Sequence, residues 1–563
     1  MRLKIVSCLA LALALLVSFG GMGAEDVDDA ENAAGGVVEV VLRPDDETLH
    51  AKVILPEPVD AFRFDNQLLL PGSGNRRVDR WRVVTPGLSL DGDIVRRSGL
   101  RALVGRAFDT FEVSIEKEAP GASGVFRVGE GWFAFTDEFA PAEKALAVRL
   151  TADAPDDWIV RAHDPVPAQG YTMGYLFMGP PELAAPASRE VFLAPGTPAW
   201  TVSVVETTLD AGEHFFGDRL GQTLAEPVRL VITQGPGDVG GRGRVGPGGQ
   251  VALRLFGEAW TEETGYTTAA LPILTLHELF HHYSIFYLAE ADSRWSGWSA
   301  EGAAEYVALV TAADLGFAER SWLVSQLNRR APECYGALEG RSLAHARLVD
   351  DRRYDCGVLF YWALDLGVRA ASDGERDVLD VLRTAFADAG DDGSVGPEDL
   401  FTAAGEEASA PARVFFETED DDVWPRFAEA LNRAGAEVAL VGDETADRQA
   451  LMRHVISQDC GPTSIIDARS EGVRLTGQDC DALGRGVRAD AIAGFDIFEE
   501  TAEMYDRVVE ICAAHGAIDL SLRGEPIAQV ACLEPPPPKA RVLQIHRDGI
   551  WERAPRGAEE SAP

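Results

Sequence analysis

The run His-Glu-Leu-Phe-His at residues 277–281 constrains the fold of this chain more than any other feature. On a helix, a spacing of four puts His277 and His281 on the same face, one turn apart. Apolar residues surround the run at helical steps, which predicts a helix that begins near Pro272. Two imidazoles held in this way form a preorganised pair of metal ligands.

Between the two histidines, Glu278 lies about 100° around the helix from His277. That direction is unsuited to coordinating the same ion, but it places the carboxylate beside a water molecule bound to the metal. We therefore predict that His277 and His281 bind zinc and that Glu278 is a general base. The bare pattern also arises by chance on ordinary helices, so a third ligand is needed to support it.

A second predicted helix, at residues 298–306, supplies that ligand and has Ser299 as its expected N-cap. Two carboxylates compete there, because Glu301 and Glu305 are four residues apart and share a face. We predict that Glu301 completes a site for one Zn²⁺ ion. Glu305 is predicted to accept the Nδ1 proton of His277, and an ordinary surface glutamate is the alternative for it.

The N-terminal residues have the order of a secretory signal. Arg2 and Lys4 precede an apolar run at residues 9–19, and small residues follow as far as Ala24. We predict a signal peptide at residues 1–24 and export to the periplasm or outside the cell, with a signal anchor as the alternative. After removal of the signal we expect no stable membrane insertion, and the formal charge of −40 disfavours nucleic-acid binding.

Six cysteines follow Cys8, which belongs to the predicted signal. An even number in an exported chain favours disulfides. We predict a bond between Cys334 and Cys356 and leave the pairing of the later four cysteines open. None of the six forms a CxxC pair, so a cysteine zinc site is not expected.

Changes in periodicity divide the chain. Short alternating strands predict a β domain, and later strands are predicted at residues 200–207 and 228–233. The glycine-rich residues 235–249 lack a nucleotide-binding motif and are predicted to form a flexible hairpin. The full predicted layout is a leader at 25–36, a β-sandwich at 37–165, a catalytic domain at 166–445 with its β part to 271 and its helical part at 272–445, a small disulfide-containing domain at 446–548 and a loose tail at 549–563.

The spacing of these motifs resembles the gluzincin metallopeptidases, and specifically the PDZ-containing glycyl aminopeptidase family. In that family HExxH is followed by a tryptophan-preceded Glu-Gly-x-x-x-Tyr helix, which residues 298–306 match. The run Tyr-Asp-Cys-Gly at residues 354–357 is similar to the family's Tyr-x-Lys-Gly motif. The resemblance spans roughly residues 37–430 and is clear only over residues 277–383.

This resemblance implies a multidomain α+β fold. It implies an N-terminal β-sandwich, a thermolysin-like zincin catalytic domain with a helical subdomain, and a small C-terminal β-rich, PDZ-like domain. It also nominates Tyr354 as the donor to the oxyanion formed during hydrolysis, a role that suits a phenol that stays protonated. Cys356 stands where the family has lysine.

A second departure concerns the substrate's amino group. Aminopeptidases of this class carry an amine-binding glutamate on a glycine-rich strand upstream of the zinc helix. Residues 240–257 contain no glutamate and have three arginines instead. Glutamates at 258, 262 and 263 are the alternatives, so exopeptidase and endopeptidase action both stay open.

We therefore predict hydrolysis of a peptide or protein substrate by a metal-activated water. The strand near residues 251–255 is predicted to pair with the substrate backbone, with a plain structural strand as the alternative. The competing hypothesis is a non-catalytic periplasmic protein that binds peptides or partners and retains a zinc site. The sequence specifies neither the side-chain preference nor the oligomeric state.

Overall fold

The computed structural model describes most of the chain from Gly36 to Trp551. The residues described are 36–45, 48–65, 80–99, 107–116, 124–142, 146–168, 171–185, 189–235, 240–288, 296–338, 341–346, 348, 352–389, 393–419, 423–460, 464–466, 473–476, 482–483, 488–499, 501–532 and 539–551. The predicted signal peptide, and the predicted leader apart from Gly36, lie outside these residues. Within them, no helix is both long and apolar enough to cross a membrane.

The N-terminal third is built from β-strands. They are β1 (Val37–Pro44), β2 (Thr48–Val59), β3 (Ala61–Arg63), β4 (Trp81–Val83), β5 (Leu88–Asp91), β6 (Ile94–Arg97), β7 (Phe108–Glu116), β8 (Val125–Val128), β9 (Gly131–Phe135), β10 (Ala147–Ala152), β11 (Ile159–Ala168) and β12 (Tyr171–Gly179). A five-stranded sheet in the order β10-β1-β2-β7-β4 and a four-stranded sheet in the order β11-β12-β9-β8 share one hydrophobic core. Burial alternates along β1 and β2, as expected of strands with only one face in the core.

A four-stranded central sheet follows in the order β13-β14-β16-β15, and β3-β6-β5 form a separate small sheet. Its strands are β13 (Val191–Leu193), β14 (Arg229–Gly235), β15 (Gly240–Gly246) and β16 (Gln250–Phe256). The first three in spatial order are parallel, whereas β15 is antiparallel to β16 and forms the edge. β16 is buried along its whole length because it is covered on both sides.

Two of the sequence predictions concern elements in this region. Within the segment predicted as a flexible hairpin, residues 240–246 form β15, whose hairpin partner is β16 beyond that segment, and residues 236–239 lie outside the described residues. The predicted strand at residues 200–207 is wrong, because these residues belong to α1 (Ala199–Leu220). Buried residues recur there at helical steps, at Thr201, Val205, Thr208 and Leu209, and this helical face packs against the core.

Helices dominate the next part of the chain. They are α2 (Gly265–Leu288), α3 (Ser296–Asp314), α4 (Ser321–Leu338), α5 (Arg352–Ala371), α6 (Val378–Ala389), α7 (Pro397–Ala404), α8 (Glu406–Glu417) and α9 (Val423–Ala434). Helix α2 begins before Pro272, contrary to the prediction, because Thr264 caps it: its Oγ1 accepts the backbone N–H of Thr267 at 3.2 Å. Ser299 lies inside α3 and not at its N-cap, and its Oγ is 3.1 Å from the Tyr361 hydroxyl.

The C-terminal part mixes short strands with two helices. They are β17 (Glu437–Gly442), α10 (Glu444–Cys460), β18 (Ser464–Ile466), β19 (Val473–Thr476), β20 (Arg488–Ala489), β21 (Ala491–Ile492), β22 (Phe495–Asp496), α11 (Thr501–His515), β23 (Ala517–Leu522), β24 (Glu525–Ala531) and β25 (Arg541–Arg547). Residues between 451 and 532 form a hydrophobic core of their own.

The final strand departs from the predicted layout. β25 pairs with β17, and the Asn328 side chain on α4 binds both backbone groups of Ile545 at 2.8 Å. Ile550 is fully buried, so residues 549–551 are not the loose tail that was predicted. The chain thus returns to the helical core after the small domain, and a C-terminal PDZ-like character stays a prediction.

Candidate metal centre

Three side chains from two helices meet at one point. The Nε2 atoms of His277 and His281 are 3.1 Å apart, and each lies 3.3 Å from Oε2 of Glu301. Helix α2 carries both histidines on one face, and α3 presents the carboxylate from the opposite side. The two histidines are buried, whereas the Glu301 side chain is 23% exposed, so the cluster opens toward solvent on the side of Glu301.

The separations of these donor atoms fit a zinc ion. Zinc bonds of about 2.0–2.1 Å in a tetrahedron place neighbouring ligand atoms about 3.3 Å apart, close to the three distances observed. Two imidazoles and one carboxylate form the donor set of catalytic zinc sites that keep one position for water. His277, His281 and Glu301 would therefore hold the ion.

Glu278 lies beside the three donor side chains but is not one of them. Its Oε1 is 3.9 Å from Nε2 of His277. Burial raises the pKa of the Glu278 carboxyl above its ordinary value, although the two histidines oppose that shift. A buried carboxylate with a raised pKa beside such a group of donor atoms is suited to accept and return a proton.

The edge strand β15 makes room for this carboxylate at Gly243. A β-carbon at that position would lie 2.2 Å from Cγ and 2.3 Å from Oε1 of Glu278. Any other residue at 243 would displace the carboxylate from its present place. The backbone of β15 therefore passes directly alongside the candidate centre.

Glu305 contacts the His277 ring on the side away from His281 and Glu301. Its Oε2 is 3.1 Å from Nδ1 of His277, and its other oxygen contacts the guanidinium of Arg330. Burial raises the pKa of Glu305, but Arg330 and His277 outweigh it and lower the pKa to about 2. The Glu305 carboxylate therefore lies beside Nδ1 of His277, while Nε2 of the same ring faces His281 and Glu301.

Arg330 extends this support to helix α5. The guanidinium, on α4, also donates to Oδ1 of Asp355 at 3.2 Å, and both groups are buried. Asp355 is flanked by Tyr354 and by Cys356, and Cys356 forms a disulfide with Cys334 of α4. The predicted Cys334–Cys356 bond is thus confirmed, and together with the ion pair it ties α5 to α4 beside the centre.

Tyr354 reaches the centre from α5. Its hydroxyl donates a hydrogen bond to the Glu301 carboxylate, and its ring centroid is 5.8 Å from that of His277. Burial and the Glu301 charge raise the pKa of Tyr354 above its ordinary value, so the phenol stays a neutral donor. The hydroxyl is thus a hydrogen-bond donor at the edge of the candidate centre.

Two glycines allow α3 and α5 to approach closely enough for this geometry. A β-carbon on Gly302 would lie 2.3 Å from Cα of Gly357, and one on Gly357 would lie 2.4 Å from the Trp298 carbonyl oxygen. Glu301 precedes the first glycine, and Tyr354 lies about one turn before the second. The glycine crossing therefore sets the distance between a candidate ligand and the candidate oxyanion donor.

Pairing of residues 251–255 with the substrate backbone is wrong, and the alternative of a plain structural strand fits them. Residues 251–255 belong to β16, whose two neighbours β14 and β15 already use its backbone hydrogen bonds. β15 is the edge strand on this side of the sheet, and among the described residues no further strand pairs with it. The glutamates at positions 258, 262 and 263 are exposed on the segment between β16 and α2.

Sequence reasoning missed Gly243, Arg330 and Asp355. A signal for Arg330 was available, because it shares a helix face with Leu323, Leu327 and Cys334, where an apolar residue is expected. No sequence pattern marked Gly243, since its role depends on how strand β15 packs against helix α2.

Comparison with known proteins adds little to this geometry. No family model matches the chain, and no curated protein matches it. A crystal structure of an aminopeptidase N family protein from Idiomarina loihiensis is similar, with a TM-score of 0.49 and 14% identity over 91% of this chain and 99% of that chain. A likeness of that degree carries no argument about function, which rests on the site itself.

Proposed function

We propose that this chain is a zinc-dependent peptidase whose metal is held by His277, His281 and Glu301. The observation that carries the proposal is the 3.1–3.3 Å triangle of donor atoms with the buried Glu278 carboxylate 3.9 Å from one of them. A bound zinc ion would supply a water of lowered pKa and polarise the substrate carbonyl.

The protein groups would then perform the remaining steps. Glu278 takes a proton from the attacking water as its oxygen bonds to the carbonyl carbon. Tyr354 donates a hydrogen bond to the resulting oxyanion. The C–N bond breaks, and Glu278 returns the proton to the leaving amine, so that the carboxylate is restored.

The substrate would add as a strand to the free edge of β15. An edge strand presents unpaired backbone groups, and glycine at positions 241 and 243 keeps side chains away from its cleft side. Because Gly243 contacts Glu278, a peptide paired there would pass the centre. We include in the proposal one zinc ion per chain and the domain division predicted above, except that residues 541–551 belong with the helical part.

The decisive experiment compares wild type with Glu278→Gln on a peptide library containing free and N-acetylated members, read by mass spectrometry. We expect wild type to cleave and the variant to lose about 10²-fold or more in rate, with zinc content unchanged. The matched control, Glu429→Gln, alters an exposed glutamate on α9 and should act as wild type.

Each result has a defined meaning. Equal cleavage by Glu278→Gln and wild type would refute the assignment of the base. Zinc binding without any cleavage would favour the non-catalytic binding protein. Loss of cleavage on acetylation would indicate an aminopeptidase, and cleavage of acetylated peptides would indicate an endopeptidase.

We also propose that the protein is exported. The observations in support are the signal-like N-terminus and the disulfides Cys334–Cys356 and Cys512–Cys532. Mass measurement after alkylation under denaturing, non-reducing conditions tests this: mature protein should start after the signal and leave these four cysteines unlabelled.

A further inference from the structure

Three arginines cluster on β15 and β16, on the face of the central sheet opposite the one that Gly243 turns toward Glu278, and none of them has a part in the hydrolytic steps. Arg242 and Arg244 are two residues apart on β15 and therefore share a face. Arg254 on β16 is the direct cross-strand neighbour of Arg242. Together with Phe126 and Ala252 the three arginines line one recess.

Two of the three have structural roles. Arg244 forms an ion pair with Asp137, and its guanidinium lies 4.2 Å from the centre of the Phe135 ring. Arg254 is 3% exposed and lies over the ring of Phe126 at 4.7 Å. Both side chains attach the central sheet to the N-terminal β domain.

Arg242 differs from its neighbours. It is part-exposed, and within the described part of the chain no hydrogen bond or ion pair engages it. It also faces a like charge across the strand pair, an arrangement that lowers stability. An arginine kept in this position on a chain of formal charge −40 is suited to bind an anion.

The position of Arg242 identifies the source of that anion. The next residue, Gly243, contacts Glu278, so Arg242 lies one residue along the edge strand from the candidate centre. A peptide strand added to β15 would place its backbone about 4.8 Å away, with alternate side chains on the face that carries Arg242. A carboxylate there can accept two parallel hydrogen bonds from the guanidinium.

We propose that Arg242 selects substrates with an aspartate or glutamate side chain in the segment that pairs with β15. This inference rests on the proposed peptidase function and names its substrate class as acidic peptides. The preference falls on one substrate position and more weakly on the position two residues away, because side chains alternate between faces of a strand.

The test uses peptides blocked by N-acetyl and C-amide groups, so that only a side chain carries the negative charge. A single glutamate is moved through each position and compared with glutamine. For wild type we expect kcat/KM to favour glutamate about tenfold at one position. Arg242→Gln should bring that ratio to about one, and Arg242→Lys should retain part of it. Arg82→Gln, an exposed strand arginine of the N-terminal domain, is the control and should keep the wild-type ratio.

Binding of the same peptides to Glu278→Gln, followed by fluorescence anisotropy, separates this inference from the peptidase proposal. Cleavage with equal rates for glutamate and glutamine at every position would overturn the role of Arg242 and leave the peptidase intact. Glutamate preference in binding that is lost in the Arg242→Gln, Glu278→Gln double variant supports the role even without cleavage. Absence of a preference in both assays overturns it.

Discussion

The glycine crossing of α3 and α5 provides the sharpest test of how the fold builds the site. Alanine at position 302 would place a β-carbon 2.3 Å from Cα and 2.6 Å from the carbonyl carbon of Gly357. Carbon atoms at optimal contact are about 3.5–4.0 Å apart. Both neighbours are backbone atoms, so Gly302→Ala must push the two helices apart by about 1 Å.

Two effects on stability oppose each other. Overpacking of this kind costs about 1–3 kcal/mol, whereas alanine is favoured over glycine in a helix by about 1 kcal/mol. We therefore expect Gly302→Ala to lower the free energy of unfolding by no more than about 2 kcal/mol. Separation of Glu301 from Tyr354 is the larger consequence, because a displacement of about 1 Å in an active site costs about 10²-fold in rate.

The assay is kcat/KM on a cleaved peptide, combined with the thermal midpoint and zinc content of the same preparation. Gly265→Ala is the matched control, since position 265 is also a helical glycine but has no atom within 4 Å of its built β-carbon. It should match wild type in all three measurements. A Gly302→Ala protein with wild-type kcat/KM would refute the claim that this crossing sets the site geometry.

Three further predictions concern groups around the centre. Tyr354→Phe should lower kcat by about 10²-fold with little change in KM; an unchanged kcat would remove the tyrosine from the oxyanion role. Arg330→Met leaves the buried Asp355 and the part-buried Glu305 without their cation and should cost about 3–5 kcal/mol in stability, whereas Arg329→Met, at the exposed neighbouring position, should cost little. Equal urea midpoints for these two variants would contradict the buried network. Replacing both Cys334 and Cys356 by serine should lower stability by about 2–4 kcal/mol, and an unchanged thermal midpoint under non-reducing conditions would count against a stabilising disulfide.

Local spacing was enough to predict the helix that carries the two candidate zinc ligands. A step of four residues puts His277 and His281 on one face of any helix, whatever the rest of the fold does. The same regularity pointed to a second helix with Glu301 and Glu305 on a shared face. The Cys334–Cys356 pair was also within reach, because few arrangements were open to two cysteines separated from the other four.

Non-local packing decided what the sequence could not. Residues 200–207 look like a strand in isolation, but burial against the core makes them part of α1. The order of strands in a sheet cannot be deduced from their order along the chain. Substrate pairing was therefore predicted for β16, although β15 is the strand at the edge of the sheet. A tertiary contact overrides a local preference because the apolar surface it buries stabilises the chain by more free energy than the preference provides.

The helix that carries His277 and His281 separates what the sequence determined from what the tertiary structure decided. Its histidine spacing is a property of the helix alone, and the sequence by itself determined it. The positions of Gly243, Arg330 and Tyr354 around that helix depend on elements brought together from separate parts of the chain. Only the tertiary structure decided them, because the distance between side chains on different elements is set by packing and not by their separation along the sequence.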